Sequence, residues 1–267
     1  MLARTRGKAK LMRRYQKQLL NVFSVAAVLA LWYVLSSIGY LNPMIFPSPV
    51  LIAQTFVAMF SDGTLFVDIG ISAARIFLGF TLGFLVAVPL GLLCGKSEVA
   101  ENVLNPWAKL LQPIPSVAWV PFALLAVGVN NTAAVFVIGI AAFFPVFINT
   151  MSAVQHFDRD LIDSARNMGA NTLGIVGKVL LPGIVPELIS GSRIGIGFAW
   201  RAVVAAEMIG VPLGIGSLLM TARNTGNMEQ VLVSMITLGF LMMLFDKVIF
   251  EAMEKGISRW KGGQQEE

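Results

Sequence analysis

Charged and catalytic residues are scarce in this chain of 267 residues. Charged residues make up 13% of it, whereas soluble domains carry about 25%. The chain has one cysteine, Cys94, and one histidine, His156. A single cysteine excludes an internal disulfide, and one cysteine with one histidine excludes the usual zinc sites. Catalysis by a Ser/His/Asp or Cys/His arrangement would have to use His156 alone.

What the chain has in quantity is apolar residues, which reach 56% of the composition with a mean hydropathy of +0.76. A water-soluble protein of this size needs more polar surface to cover its core. The composition therefore predicts an integral membrane protein.

Six apolar stretches have about the 20 residues that a helix needs to cross a membrane. They cover 19–41, 71–94, 103–129, 132–154, 184–209 and 231–250. The third is interrupted by Pro113 and Pro115. We predict an all-α protein with a basic arm at 1–18, a transmembrane domain at 19–254 and a tail at 255–267.

Basic residues are unevenly distributed between the predicted loops. The first 17 residues hold seven of them, and the segments on the same side of the membrane hold seven more, whereas the segments on the other side hold one, Arg223. The positive-inside rule then predicts that both termini are cytoplasmic, which requires an even number of spans. The same rule explains the basic arm, so nucleic-acid binding is not needed to account for it.

The run from Gly91 to Ser97 has some features of a phosphate-binding loop. A P-loop needs four residues between its glycines so that the backbone can surround the phosphates. Here three residues separate Gly91 from Gly95, and the segment ends an apolar span. The sequence therefore predicts no nucleotide site in this chain.

The predicted cytoplasmic segment 155–183 has the pattern of two short helices. Asp158 and Asp160 are N-cap candidates. Gly169 breaks the first helix, and a second runs from Asn171 until a Leu-Pro pair ends it. Apolar residues recur on one side of the first helix: Leu161, Ile162, Ala165 and Met168. This pattern favours a rigid element that fits a partner's groove, the alternative being a helix that lies on lipid.

The same segment resembles the EAA loop of permease subunits of binding-protein-dependent ABC importers. Asp163-Ser164-Ala165 is followed after three residues by Gly169, and then by Val179 and the pair Leu181-Pro182 at the family's spacing. The departures are Asp for Glu, Ser for the first Ala and Val for Ile. Residues 112–121 and 191–208 also resemble the nitrate, sulfonate, taurine and bicarbonate subfamily.

The resemblance implies a type I importer permease fold in a bacterial inner membrane, with the chain supplying half of the translocation pathway. Its partners would be a second permease copy, two ATPase subunits that carry ATP and Mg, and an external solute-binding protein. The chain itself would have no cofactor and no catalytic activity. The resemblance assigns coupling to the ATPase to residues Asp163, Ser164, Ala165, Gly169, Leu181 and Pro182.

Several charged residues fall within the predicted spans, where a charge at the bilayer centre costs at least ~2.5 kcal/mol. Arg193 and Arg201 are eight residues apart on nearly one helix face, and guanidinium forks suit oxyanions. The alternative is that they pair with acids such as Glu207. Arg75 and Glu187 are expected at the membrane interfaces, and Asp246 and Lys247 are expected to snorkel. The candidates for the pathway or its gate are Pro113, Pro115, Trp119, Arg193, Arg201 and Glu207.

Two other classes of membrane protein compete with an importer permease. A stand-alone secondary carrier or channel would leave the EAA-spaced loop unexplained. A membrane-embedded enzyme should show paired acids, a metal-binding motif or a nucleophile with a nearby base, and the sequence shows none. The solute stays open among nitrate, sulfonates such as taurine, bicarbonate and uncharged heterocycles, with a small anion preferred.

Overall fold

A computed structural model describes residues 19–20, 23–38, 42 and 44–250, and no strand occurs among them. The all-α prediction is therefore confirmed. The predicted arm at 1–18 and tail at 255–267 lie outside the described residues, as do parts of the first predicted span, 19–41.

The helices follow one another with short connections. They are α1 (Phe23–Ser37), α2 (Pro49–Ser61), α3 (Thr64–Lys96), α4 (Glu98–Leu111), α5 (Ser116–Val127), α6 (Asn131–Gln155), α7 (Arg159–Asn167), α8 (Thr172–Ile175), α9 (Leu181–Gly183), α10 (Val185–Ile209), α11 (Ile215–Asn224) and α12 (Met228–Phe245). Two π-helical turns, Val176–Leu180 and Asp246–Phe250, adjoin α8 and α12. Neither these turns nor α11 was predicted.

Three helices are long and apolar enough to cross a membrane, namely α3, α6 and α12 extended to Val248. Two bent pairs raise the total to five within the described residues if each pair is one span. One pair is α4 with α5, bent by 101°, and the other is Thr172–Gly183 with α10, bent by 64°. The first predicted span contains α1, whose described part, Phe23–Ser37, is apolar but shorter than a full span.

The chain divides into two compact units, Met1–Asp62 with Ala222–Val233 and Gly63–Thr221 with Ser234–Glu267. In the first unit, the Ser48 side chain accepts a hydrogen bond from the Leu51 amide and so caps α2. Pro49 fits the first turn of that helix because its missing N–H has no intrahelical partner there.

The core of the second unit is built on α6, which packs against α3 and α10. Small residues allow the close approach of α3 and α6, since a Cβ atom on Gly83 would lie 2.5 Å from the Gly139 carbonyl oxygen. Val137, Ile138 and Phe147 on α6 are at most 1% exposed. Backbone packing of this kind is typical of helices in lipid, where the hydrophobic effect does not drive helices together.

Candidate functional site

The 155–183 segment forms the predicted helix–glycine–helix. The Asp158 carboxylate caps α7 by accepting a hydrogen bond from the Asp160 amide. Gly169 has a φ of +83°, a left-handed conformation that glycine adopts without strain. The Ala170 amide then donates to the Ala165 carbonyl across this turn, at 3.1 Å. The local sequence thus fixes both the start of α7 and its sharp end.

The second helix begins at the predicted place, and the helical stretch ends at Gly183, one residue past the predicted end at Leu181-Pro182. The Asn171 side chain caps α8 by accepting from the Gly174 amide at 2.8 Å. The chain then widens into a π-helical turn, in which the Leu181 amide donates to the Val176 carbonyl. Because Pro182 has no N–H to donate, the helix bends here instead of continuing straight, and α10 follows after a 64° change of direction.

Large apolar side chains on both sides of the Gly169 turn are exposed. Met168 and Leu173 are each 82% exposed and Leu161 is 52% exposed. Ala165 is buried within the segment. Asp163 and Arg166 form an exposed ion pair at 3.5 Å, a kind that contributes little to stability. The segment therefore presents an apolar surface, and no other described part of the chain covers it.

The predicted break in the third span is a sharp bend between α4 and α5. Pro113 and Pro115 are exposed in the connection, and Pro115 is the N-cap residue of α5. Trp119 is half-buried and lines a small pocket with Gln112 and Phe198, among others. The 101° bend places this irregular backbone beside α6 and α10, the kind of protein contact that non-helical backbone requires at membrane depth.

Arg193 pairs with an acid, as the alternative held, but that acid is Asp246 and not Glu207. Its Nε and Nη2 atoms donate to the two carboxylate oxygens of Asp246, at 2.8 and 2.7 Å. Asp246 therefore holds an ion pair instead of snorkelling alone. The two side chains are 37% and 49% exposed, so the pair is partly accessible.

Arg201 is exposed and has no acidic partner among the described residues. Its guanidinium carbon lies 5.4 Å from the centre of the Phe198 ring, within the range of a cation–π contact. The residue lines an open pocket of about 330 Å³ between α10 and α12, with Trp200, Val204, Leu238, Gly239 and Met242.

Glu207 is 3% exposed and pairs with Arg75 at 2.8 Å, so it is not the partner of Arg201. Arg75 is itself 3% exposed, so its guanidinium is enclosed by protein. Glu207 also accepts hydrogen bonds from the Ser72 hydroxyl at 2.8 and 3.0 Å. The structure thus places this carboxylate inside the chain, away from any open surface of the described residues.

Ser72 and Arg75, which bind Glu207, and the nearby Asp68 were not predicted to cluster with it. Asp68, Ser72 and Arg75 follow one another at helical spacing in the first turns of α3 and are all buried. Three polar residues on one face of an otherwise apolar helix were a usable signal, because buried polar groups require partners. The prediction that this span starts at 71 left Asp68 outside it.

Several known proteins are similar to this chain over most of its length. Residues 87–255 match the model of a family described as "Binding-protein-dependent transport system inner membrane component". The putative aliphatic sulfonates transport permease of Escherichia coli is 32% identical over 248 residues, which are 92% of this chain and 94% of that protein. The nitrate import permease of a Synechocystis strain is 32% identical over 235 residues, which are 85% and 84% of the two chains.

Among solved structures, a chain of the MetNI methionine ABC transporter in an inward-facing conformation has the same fold. It aligns with a TM-score of 0.57 and 21% identity over 71% of this chain and 95% of that chain. The predicted type I permease fold is therefore confirmed.

Proposed function

Since the chain belongs to the family of inner-membrane components of binding-protein-dependent transport systems, we propose that two copies of it form the pathway of an ATP-driven importer for a small anion. Membership makes the chain a permease subunit of an ABC importer. The proposal adds that its partner permease is a second copy, that both termini are cytoplasmic, and that ATP is bound and hydrolysed by separate subunits.

One observation carries the coupling role: the exposed apolar residues beside the Gly169 turn in a segment with EAA spacing. Leu161 lies on α7, Met168 is the C-cap residue of α7, and Leu173 lies on α8. Caps and the left-handed glycine hold these two short helices in a fixed relation. A rigid apolar surface of this kind fits a groove on a partner subunit. We assign coupling to Asp163, Ser164, Ala165 and Gly169 in this segment, and to the bend at Leu181 and Pro182.

The bend after Pro182 lies between the coupling segment and the long helix α10. A push on α7 and α8 is transmitted through the turn at Val176–Leu180 and the short helix α9 to α10. When the ATPase pair closes on ATP, the two coupling segments move together and the α10 helices rotate. Each permease copy thus acts as a two-state element whose equilibrium is shifted by ATP binding.

The anion preference rests on Arg201. Its exposed guanidinium lacks an acidic partner among the described residues and lines an open pocket. A guanidinium group at membrane depth is costly unless it meets water, protein or an anion. The similar permeases named for sulfonates and nitrate both have oxyanion solutes. We assign Arg201, Pro113, Pro115 and Trp119 to the pathway or its gate, and Arg193 to a partly accessible ion pair beside it.

Co-purification from detergent-solubilised membranes of the native host tests the coupling role. ATP hydrolysis should elute with the tagged wild type and be lost with Gly169→Asp. Gly63→Asp is the matched control, because Gly63 also has a φ of +83° and no neighbour within 4 Å, but lies outside the segment. A chain that elutes without ATP hydrolysis and transports solute alone would instead be a secondary carrier.

A further inference from the structure

Asp68, Ser72, Arg75 and Glu207 form a buried polar cluster that the proposed transport mechanism does not use. Each is at most 6% exposed, and together they join the start of α3 to the end of α10. Buried charges are expensive unless every donor and acceptor finds a partner. The groups that these four side chains bind indicate the role of the cluster.

The cluster binds the backbone of five consecutive residues, 212–216. Arg75 donates through Nη2 to the Pro212 carbonyl and through Nη1 to the Leu213 carbonyl, both at 2.7 Å. Three acceptors then meet three successive amides: Asp68 accepts from Gly214 at 2.8 Å, Ser72 from Ile215 at 3.1 Å, and Glu207 from Gly216 at 2.9 Å. The amides at the start of α11 are thereby satisfied by side chains of other helices.

The 212–216 segment is shaped to fit this cluster. Gly214 has a φ of +100°, and a Cβ atom on it would overlap the Glu207 carboxylate. A Cβ atom on Gly216 would lie 2.8 Å from the Glu207 Cβ. Both glycines are therefore required by the close approach of the segment to Glu207.

Leu213 is the residue that this arrangement presents outward. Its φ of +62° is left-handed, an unusual conformation for leucine, and its side chain is 58% exposed. Strained backbone persists where surrounding structure enforces it, and such positions concentrate at functional sites. Here Arg75 holds the Leu213 carbonyl while the apolar side chain stays uncovered in the described structure.

We propose that the four clustered side chains are positioning residues that hold Leu213 as a preformed contact for the solute-binding protein. This inference rests on the proposed function, whose orientation puts residues 210–230 on the external side. A binding protein must recognise the permease repeatedly in each transport cycle, and a preformed loop lowers the ordering cost of each docking event. An exposed apolar side chain on a fixed backbone suits such a contact.

A spin label at Leu213→Cys, in a Cys94→Ala background, reports directly on the loop. The label should show the restricted motion of an ordered backbone in the otherwise native protein and freer motion in Asp68→Leu. Asp68→Asn is the matched control, because its amide oxygen can still accept the Gly214 hydrogen bond. A label at Leu125→Cys, which replaces an 89% exposed residue on α5, should be unaffected by either change.

Adding the purified solute-binding protein of the same importer tests the contact. It should broaden the spectrum of the label at 213, and Asp68→Leu should weaken its affinity for the transporter by roughly fivefold or more, the lower end of typical coupling between sites. A label equally mobile in Asp68→Leu and Asp68→Asn would overturn the positioning role. An ordered label that does not respond to the binding protein would overturn the contact. Failure of the proposed function would appear separately, as absence of the ATPase from the purified complex.

Discussion

The buried pair of Arg75 and Glu207 should show strong energetic coupling in a double-mutant cycle. At the observed separation of 2.8 Å, an effective dielectric constant of about 20 gives an attraction of about 6 kcal/mol before desolvation. Desolvation of two ions removes several kcal/mol of this gain. Removing one partner leaves the other buried charge alone, and we expect Arg75→Met or Glu207→Met to cost about 3–5 kcal/mol each.

The double variant should not regain full stability, for a reason specific to this site. It removes the partners of the Pro212 and Leu213 carbonyls and of the Gly216 amide, and each unpaired buried group costs about 1–3 kcal/mol. We therefore expect a double-variant loss smaller than the sum of the single losses by about 2–3 kcal/mol, at the upper end of coupling energies between contacting residues.

Apparent melting temperatures of the detergent-solubilised protein measure this cycle. With about 2–4 °C per kcal/mol for a chain of this size, each single variant should lower the midpoint by roughly 6–20 °C. The partly exposed Arg193–Asp246 pair is the control, and its single variants should cost less than about 1 kcal/mol each. Single losses that add to within about 0.5 kcal/mol in the double variant would refute the coupled pair.

Three further predictions concern packing, the pathway and the coupling surface. Gly83→Ala should destabilise the protein by about 1–3 kcal/mol in thermal melts, because its Cβ atom would clash with Gly139. Gly70→Ala on the same helix should not, because no atom lies within 4 Å of a Cβ atom there. Equal melting temperatures of the two variants would contradict this account of the packing. Arg201→Ala should lower uptake of a radiolabelled sulfonate by about tenfold, from the loss of a charged hydrogen bond, and unchanged uptake kinetics would assign the residue to packing. Leu173→Ser should weaken binding of the ATPase by more than about 1 kcal/mol in a titration, and wild-type binding would exclude this side chain from the interface.

Much of the 155–183 segment could be predicted from local sequence. Asp158 and Asn171 are capping residues, and the left-handed turn at Gly169 favours glycine, so each feature depends on its immediate neighbours. The π-helical turn before Pro182 was not predictable in the same way. A proline inside a helical pattern is compatible with an end, a kink or a bend, and tertiary packing selects among them.

The sequence identified the charged residues within the predicted spans but not the partners that the structure gives them. Glu207, on the same predicted span, was only one candidate partner for Arg193 and Arg201. In the structure, Arg193 pairs with Asp246, 53 residues away, and Glu207 pairs with Arg75, 132 residues away. Side chains of one helix point outward from its axis. The partner of each side chain therefore depends on which other helix packs against it.

The sequence by itself determined three properties: that this protein lies in a membrane, which residues form most of its helices, and which segment contains the glycine turn. These properties depend on composition and on residues close together in the chain, through hydrophobicity, capping and backbone conformation. The tertiary structure alone decided that Asp68, Ser72, Arg75 and Glu207 converge on residues 212–216. That convergence requires the packing of α3 and α10 through α6, and helix packing depends on the fit of whole surfaces, which no local pattern records.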